Sequence, residues 1–138
     1  MPSTRAVTLE WAGRDLKFRG EGTEPVTAEI AIDGDGETGP SPMQALLLAC
    51  AGCSGADVVV ILEKMRVRLT RLSIDVSGVR RDDDPKRYTS LEFRFSMSGD
   101  GLDAAKAERA VRLSLDKYCS VVHSLAPDIT VGHRIDLV

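Results

Sequence analysis

Two cysteines, Cys53 and Cys119, are the residues whose type and setting most suggest chemistry. Cys53 lies in an apolar stretch rich in small residues, which predicts a buried helix, and Cys119 follows a second, amphipathic helical segment. Cysteines in such places act as redox groups, as metal ligands or as inert core residues, because free cysteine is often buried. The pair by itself leaves these three interpretations open.

The composition of the chain limits the cellular compartment and the binding partners that we expect for the protein. The 138 residues predict a single domain, residues 1–138, with a core that needs no disulfides. Eighteen basic and 21 acidic residues give a net charge of −3 without a basic block, so we expect no nucleic-acid partner. The start of the chain lacks a basic and apolar leader, and the three cysteines are an odd number. Both features predict a cytoplasmic protein whose cysteines rest as thiols.

The first third of the chain predicts a meander of short strands over residues 5–11, 16–18 and 27–33. A turn-rich connection follows. Ser41 as N-cap and Pro42 at the first helical position then predict a long central helix that ends near Met65. Alternating apolar residues predict two half-exposed antiparallel strands over 72–77 and 91–97, a helix over 103–118 and a last strand over 129–138. The predicted fold class is α+β.

The long helix has the length and the apolar composition of a membrane span. Asp57 near its middle would cost about 2.5–3.5 kcal/mol in a bilayer, so we expect no membrane and predict a helix that is buried all round. Gly52 and Gly55 lower its helix propensity, which requires a compensating contact. That contact is either close packing against a second helix or a partner subunit, or ordinary packing on the sheet.

The cysteines also match two known motifs, a thioredoxin-type C-x-x-C and a zinc ligand set, but the match to each is weak. Cys50 and Cys53 form a C-x-x-C inside a helix, whereas a thioredoxin-type motif follows a strand and opens a helix. Cys50, Cys53, Cys119 and His123 are formally a zinc ligand set, but zinc knuckles usually place their cysteines in turns. We therefore expect no metal, and interpret Cys50 as a packing residue and both His123 and His133 as surface residues.

Three stretches carry a resemblance to a known family. They are Gly39-Pro40-Ser41-Pro42 leading into an apolar helix, Cys53 eleven residues after Pro42, and Tyr118-Cys119-Ser120-Val121. In this order they resemble the OsmC/Ohr family of osmotically inducible and organic-hydroperoxide-resistance proteins, and most of all its less characterised OsmC-like branch. The resemblance implies an intertwined α+β homodimer with antiparallel sheets and two central helices, whose active sites lie at the subunit interface.

The resemblance also implies a cysteine-based thiol peroxidase of the oxidative or osmotic stress response that needs no cofactor. Cys53 attacks an organic hydroperoxide and becomes a sulfenic acid, Cys119 resolves it as a disulfide, and a dithiol reductant, lipoyl or similar, reopens that disulfide. Arg14 resembles the family arginine that contacts the reactive cysteine, with Arg19 as the second choice. Such a cation is needed, because apolar surroundings disfavour a thiolate.

One position departs from the family pattern. The glutamate that holds the arginine in the hydroperoxidases is here Met43, followed by Gln44, whose neutral amide orients Arg14 less firmly than a carboxylate. Asp57 either takes over part of that role or repels the thiolate. We place Met43, Gln44 and Asp57 at the substrate site and expect a slower peroxidase than relatives with the full pair. The alternative is an OsmC-like dimer that binds a small ligand or zinc without efficient turnover.

Overall fold

The computed structural model describes residues 3–22 and 29–138. The chain divides into two compact units, Met1–Leu46 and Leu47–Val138. The single domain expected from chain length stays a prediction.

An antiparallel sheet forms most of the first unit. Its strands β1 (Val7–Trp11), β2 (Lys17–Gly22) and β3 (Glu29–Asp33) lie in that order. The turn between β1 and β2 is tight because Gly13 and Asp15 have φ angles of 85° and 46°, in the left-handed region. The predicted meander is confirmed, except that residues 27 and 28 of its third strand lie outside the described residues.

The buried carboxylate of Asp33 orders the loop that follows β3. It accepts hydrogen bonds from the Asp35 amide at 2.9 Å and from the amide and the hydroxyl of Thr38 at 2.9 and 2.7 Å. The Lys17 ammonium lies 3.6 Å away. The Thr38 hydroxyl bond, then the two amide bonds and finally the Lys17 charge hold the pKa of Asp33 far below its usual range, although burial opposes this.

Helix α1 spans Pro42–Lys64, as predicted. Ser41 and Gln44 form a reciprocal capping box at its start: the Ser41 amide donates to Gln44 Oε1 at 2.9 Å, and the Gln44 amide donates to Ser41 Oγ at 3.2 Å. These two bonds satisfy backbone donors that have no partner within the helix. The predicted N-cap is therefore confirmed.

Within the described residues, α1 is the one helix long and apolar enough to cross a membrane by length and composition. Within the single chain one face of α1 is buried, at Cys50, Ser54, Gly55, Val58 and Leu62, so burial on all sides stays a prediction. Leu48, Val59 and Val60 are exposed at 60%, 44% and 48% of their surface. Helix α1 therefore has two apolar faces, one buried within the chain and one exposed.

The second sheet belongs to the second unit and contains β4 (Arg68–Arg80), β5 (Tyr88–Asp100) and β6 (Thr130–Leu137) in that order. Strands β4 and β5 pair antiparallel, as predicted, and both extend to 13 residues. Strand β6 pairs parallel to β5, so the expectation of antiparallel sheets is wrong for this strand. The intervening helices carry the chain back across the sheet, which is the crossover that a parallel pair requires.

Alternate residues of β5 form the core of the second unit. Leu91, Phe93, Phe95 and Met97 are buried, which is the face predicted from their alternation. A Cβ at Gly55 would lie 3.0 Å from Ile74 Cδ1 of β4, so Gly55 lets α1 approach this sheet. Ordinary packing against the sheet is therefore the contact at this glycine.

The segment after β5 begins with helix α2 (Ala104–Leu113), whose N-cap Asp103 accepts a hydrogen bond from the Lys106 amide at 2.8 Å. A wide turn of π-helix, Ser114–Tyr118, follows, which we call the π-turn. The short helix α3 (Ser120–His123) comes next. The helix predicted over 103–118 is thus confirmed as far as Leu113, and its last turn is wider than predicted.

Candidate active site

The fold of the second unit brings the side chains of Cys53 and Cys119 close enough to interact. Cys53 lies in the middle of α1 and is partly exposed, whereas Cys119 is fully buried at the N-cap of α3. The π-turn ends at Cys119, whose amide donates to Ser114 O at 2.7 Å across the turn. A π-turn at this place is notable because such turns occur often at functional sites.

The Cys119 thiol is strongly biased toward its protonated form. Burial is the largest cause, and the interaction with Cys53 and the negative charge of Asp57 add to it, while the Val122 amide opposes them. Together they raise the pKa of Cys119 to about 11. Cys119 therefore stays a protonated thiol at neutral pH.

Cys50 lies one helical turn before Cys53 and is fully buried. Burial raises the pKa of Cys50, and the neighbouring charge of Cys53 raises it further. It therefore stays protonated at neutral pH. The packing role predicted for Cys50 agrees with this environment.

A buried hydroxyl pair joins α1 to the π-turn. Ser114 Oγ donates to Asp57 Oδ2 at 2.9 Å and lies 2.9 Å from Ser54 Oγ. Because one hydroxyl carries one proton and an ionised carboxylate only accepts, the Ser54 hydroxyl must donate to Ser114. Ser54 and Ser114 are both fully buried. Sequence reasoning missed both serines, although Ser54 is one of the few polar residues in the apolar stretch.

The next turn of the chain is held by His123. Its Nε2 lies 3.1 Å from Leu115 O, so this nitrogen carries a proton and donates to the carbonyl.

The proposed zinc ligands Cys50, Cys53, Cys119 and His123 do not assemble, since no group of three or more metal-ligating side chains exists among the residues the structure describes. The zinc form of the alternative therefore lacks its site.

A cavity of about 410 Å³ opens beside the segment that carries Cys119. Its walls include the apolar side chains of Leu115, Val122 and Ile129, together with the imidazoles of His123 and His133. His133 Nε2 lies 3.1 Å from both oxygens of Glu108, which orients the ring. This volume is within the range of small-molecule pockets.

The other predicted site residues belong to the first unit. Arg14 is exposed in the turn between β1 and β2, where its carbonyl accepts from the Lys17 amide at 3.3 Å, and Arg19 is exposed on β2. Met43 and Gln44 lie in the first turn of α1, and the Gln44 side chain caps the helix. The roles of Arg14, Met43 and Gln44 in chemistry stay predictions.

Comparison with known proteins relates the whole chain to one family. A family model described as OsmC-like protein matches residues 34–134. Protein YhfA of Escherichia coli strain K12 is 36% identical over 131 residues, which cover 94% of this chain and 96% of that protein. A hypothetical protein from Aquifex aeolicus VF5 has a solved structure with a TM-score of 0.83 and 29% identity, covering 99% of each chain. The organic hydroperoxide resistance protein OhrB of Bacillus subtilis shares the fold, with a TM-score of 0.62, 16% identity and coverage of 99% and 98%.

Proposed function

The chain belongs to the OsmC-like protein family, and from this premise we propose that it is a thiol-dependent peroxidase that reduces organic hydroperoxides. The observation that carries the proposal is the adjacent pair of a partly exposed Cys53 and a buried Cys119. A reactive thiol beside a second thiol is the arrangement that lets a sulfenic acid be resolved as a disulfide.

In the first step the Cys53 thiolate attacks the terminal oxygen of the hydroperoxide. The O–O bond breaks, the alkoxide leaves with a proton as the alcohol, and Cys53 becomes a sulfenic acid. Cys53 is suited to this step because it is partly exposed and lies beside Cys119. Cys119 and Cys50 are buried, so a peroxide meets Cys53 first.

In the second step the Cys119 sulfur attacks the Cys53 sulfenic acid. An S–S bond forms, the S–OH bond breaks, and the hydroxide leaves as water with the proton that Cys119 gives up. A dithiol such as a lipoyl group then reduces the disulfide through a mixed disulfide and is itself oxidised. The closeness of the two thiols supports direct resolution, because they already interact in the reduced protein.

We assign the stabilising cation to Arg14, with Arg19 as the second choice, on the family resemblance. Met43 stands where the hydroperoxidases have the glutamate that holds this arginine, so the cation is less firmly oriented and turnover is slower. The Gln44 side-chain oxygen already accepts a bond from the Ser41 amide, which supports a role in shaping the helix start beside any contact with substrate.

A homodimer in the cytoplasm completes the proposal. The outward face of α1 carries the exposed Leu48, Val59 and Val60, and a Cβ at Gly52 would meet no atom of the described residues within 4 Å. Such an apolar face with a glycine supports close packing against the same helix of a second copy. This is the intertwined arrangement that the resemblance implies.

The experiment exposes the reduced protein to one equivalent of cumene hydroperoxide and maps the thiols by mass spectrometry. We expect a rapid Cys53–Cys119 disulfide in the wild type, a trapped Cys53 sulfenic acid in Cys119→Ser and no rapid oxidation in Cys53→Ser. Cys50→Ser is the matched control and should behave as the wild type. Oxidation of the wild type no faster than that of Cys53→Ser would reject the peroxidase.

One observation favours a second candidate. The cavity of about 410 Å³ beside the Cys119 segment supports an OsmC-like protein that binds a small apolar ligand without peroxidase turnover. Slow oxidation in the experiment above, together with saturable binding of a fluorescent fatty acid that Val122→Trp abolishes, would select this candidate.

A further inference from the structure

The side-chain hydrogen bonds between α1 and the π-turn meet at Ser114, which contacts Ser54 and Asp57. The Asp57 carboxylate lies one helical turn beyond Cys53 and accepts the Ser114 hydroxyl at 2.9 Å. Ser114 opens the π-turn, and its carbonyl accepts the Cys119 amide at 2.7 Å. A continuous chain of bonds therefore links the helix that carries Cys53 to the backbone of Cys119.

Burying the two serine hydroxyls of this chain of bonds costs free energy, which indicates a role beyond packing. Ser54 and Ser114 are completely buried, and a buried hydroxyl is tolerated only when its hydrogen bonds are made. Apolar residues at both positions would satisfy a packing role more simply. The charge of Asp57 also acts on Cys119 from this position.

We propose that Asp57, held in place by Ser114, is a positioning residue that fixes the Cys119 turn against α1 and so holds the Cys119 thiol beside Cys53. This inference rests on the proposed peroxidase and deepens it. In the reduced protein Cys119 is a buried, protonated thiol and Cys53 is partly exposed, so Cys53 reacts first. The hydrogen bond between Ser114 and Asp57, which we call the brace, holds the Cys119 turn on α1. After Cys53 is oxidised, the brace keeps Cys119 within reach of the sulfenic acid.

The groups that act on Cys119 come from two directions. Cys53 and Asp57 face it from α1, and the Val122 amide faces it from α3. Asp116 lies in the π-turn itself but is exposed, so it supplies a carboxylate of the same segment as a control. Ser120, which directly follows Cys119 and is exposed, is the corresponding control for Ser114.

The first test needs no peroxide. Cysteine labelled with ¹³C at Cβ reports the titration of each thiol by NMR, and the Cys119 signal is identified by its loss in Cys119→Ser. Asp57→Asn keeps the shape and one acceptor but removes the charge, so we expect the Cys119 midpoint to fall. Asp116→Asn should leave it unchanged. Equal midpoints in Asp57→Asn and the wild type would overturn the charge assigned to Asp57.

The second test measures resolution. After one equivalent of hydroperoxide, Ser114→Ala should lengthen the lifetime of the Cys53 sulfenic acid about tenfold or more at every pH, because the brace is lost while the charge remains, and Ser120→Ala should not. Ser54→Ala, which removes only the hydroxyl that donates to Ser114, should give a smaller delay and serves if Ser114→Ala is poorly folded. Resolution at the wild-type rate in both Ser114→Ala and Ser54→Ala would overturn the brace.

The two tests separate this inference from the function on which it rests. If the wild type fails to form a sulfenic acid with hydroperoxide, the peroxidase is rejected while the NMR titration still decides the effect of Asp57. If the wild type is oxidised and resolved but the variants match their controls, the peroxidase stands and the positioning role is rejected.

Discussion

The two units of this chain are stabilised by opposite means. Among the described residues of the first unit, Asp33 is the one buried residue, and it is a carboxylate surrounded by donors. The second unit buries an apolar core that includes Phe93, Phe95 and Leu62. A sheet that buries little of its own surface has little hydrophobic stabilisation, so its conformation depends on specific polar bonds and on whatever covers it.

The same contrast separates the two carboxylates of interest. Asp33 accepts three hydrogen bonds and lies near a lysine, and its role is to close a loop. Asp57 accepts from Ser114 and acts on a cysteine. The hydrogen bonds around Asp33 stabilise its charge and fix a loop. Asp57 accepts fewer hydrogen bonds, and its charge raises the pKa of a neighbouring thiol.

The largest effect should come from the core of the second unit. Leu62→Ala removes a fully buried side chain and should lower the free energy of unfolding by about 2–5 kcal/mol. Leu9→Ala on β1 is the matched substitution in the first unit and should cost less than about 1 kcal/mol, because Leu9 is exposed. Chemical denaturation measures both. A loss at Leu9 as large as that at Leu62 would break the comparison and show that β1 is covered in the assembled protein.

The next effect should come from Asp33. Its pKa is lowered in the folded state, so its stabilisation is present above the pKa of the unfolded chain, near pH 4, and is lost as the pH falls toward the folded value. Asp33→Asn should lower the thermal midpoint at pH 7, and its deficit against the wild type should shrink below pH 4. Asp35→Asn, an exposed neighbour, is the control. A deficit that does not change with pH would contradict the charge-based account.

Local features of the chain were predictable from sequence and long-range ones were not. The bounds of α1 follow from Ser41, Pro42 and an uninterrupted apolar run, all of which act within one helix. The parallel pairing of β6 depends on how the intervening helices cross the sheet, and strand alternation contains no information about direction.

The candidate site shows the same limit. The closeness of Cys53 and Cys119 was anticipated only through the family resemblance, because the two thiols lie 66 positions apart in the chain. The Ser54–Ser114 contact joins residues 60 positions apart, and neither serine carries a motif. The π-turn was missed because one residue inserted into a 3.6-residue period hardly changes an apolar pattern.

A smaller effect should test whether the first unit contributes to the chemistry of the second. Met43→Glu introduces the glutamate of the family pattern at its own position, and a carboxylate there would hold the proposed Arg14 more firmly than an apolar side chain. We expect Cys53 to be oxidised about tenfold faster, as measured by stopped-flow kinetics with an organic hydroperoxide. Met43→Gln, of similar size without charge, is the control. Equal rates in Met43→Glu and Met43→Gln would show that a glutamate at this position does not support the peroxidase.

The smallest effect should come from Gln44, and it decides between a structural and a chemical role. Gln44→Ala removes the acceptor for the Ser41 amide and should cost about 0.5–1 kcal/mol of stability, the usual value of a capping contact. Gln44→Glu preserves the capping box and should restore that stability. If Gln44 acts only through the helix start, the rate of Cys53 oxidation is the same in both variants. A rate of Cys53 oxidation that rises in Gln44→Glu and falls in Gln44→Ala would instead place this side chain at the substrate. Capping alone would not make that rate depend on whether the side chain is an amide or a carboxylate.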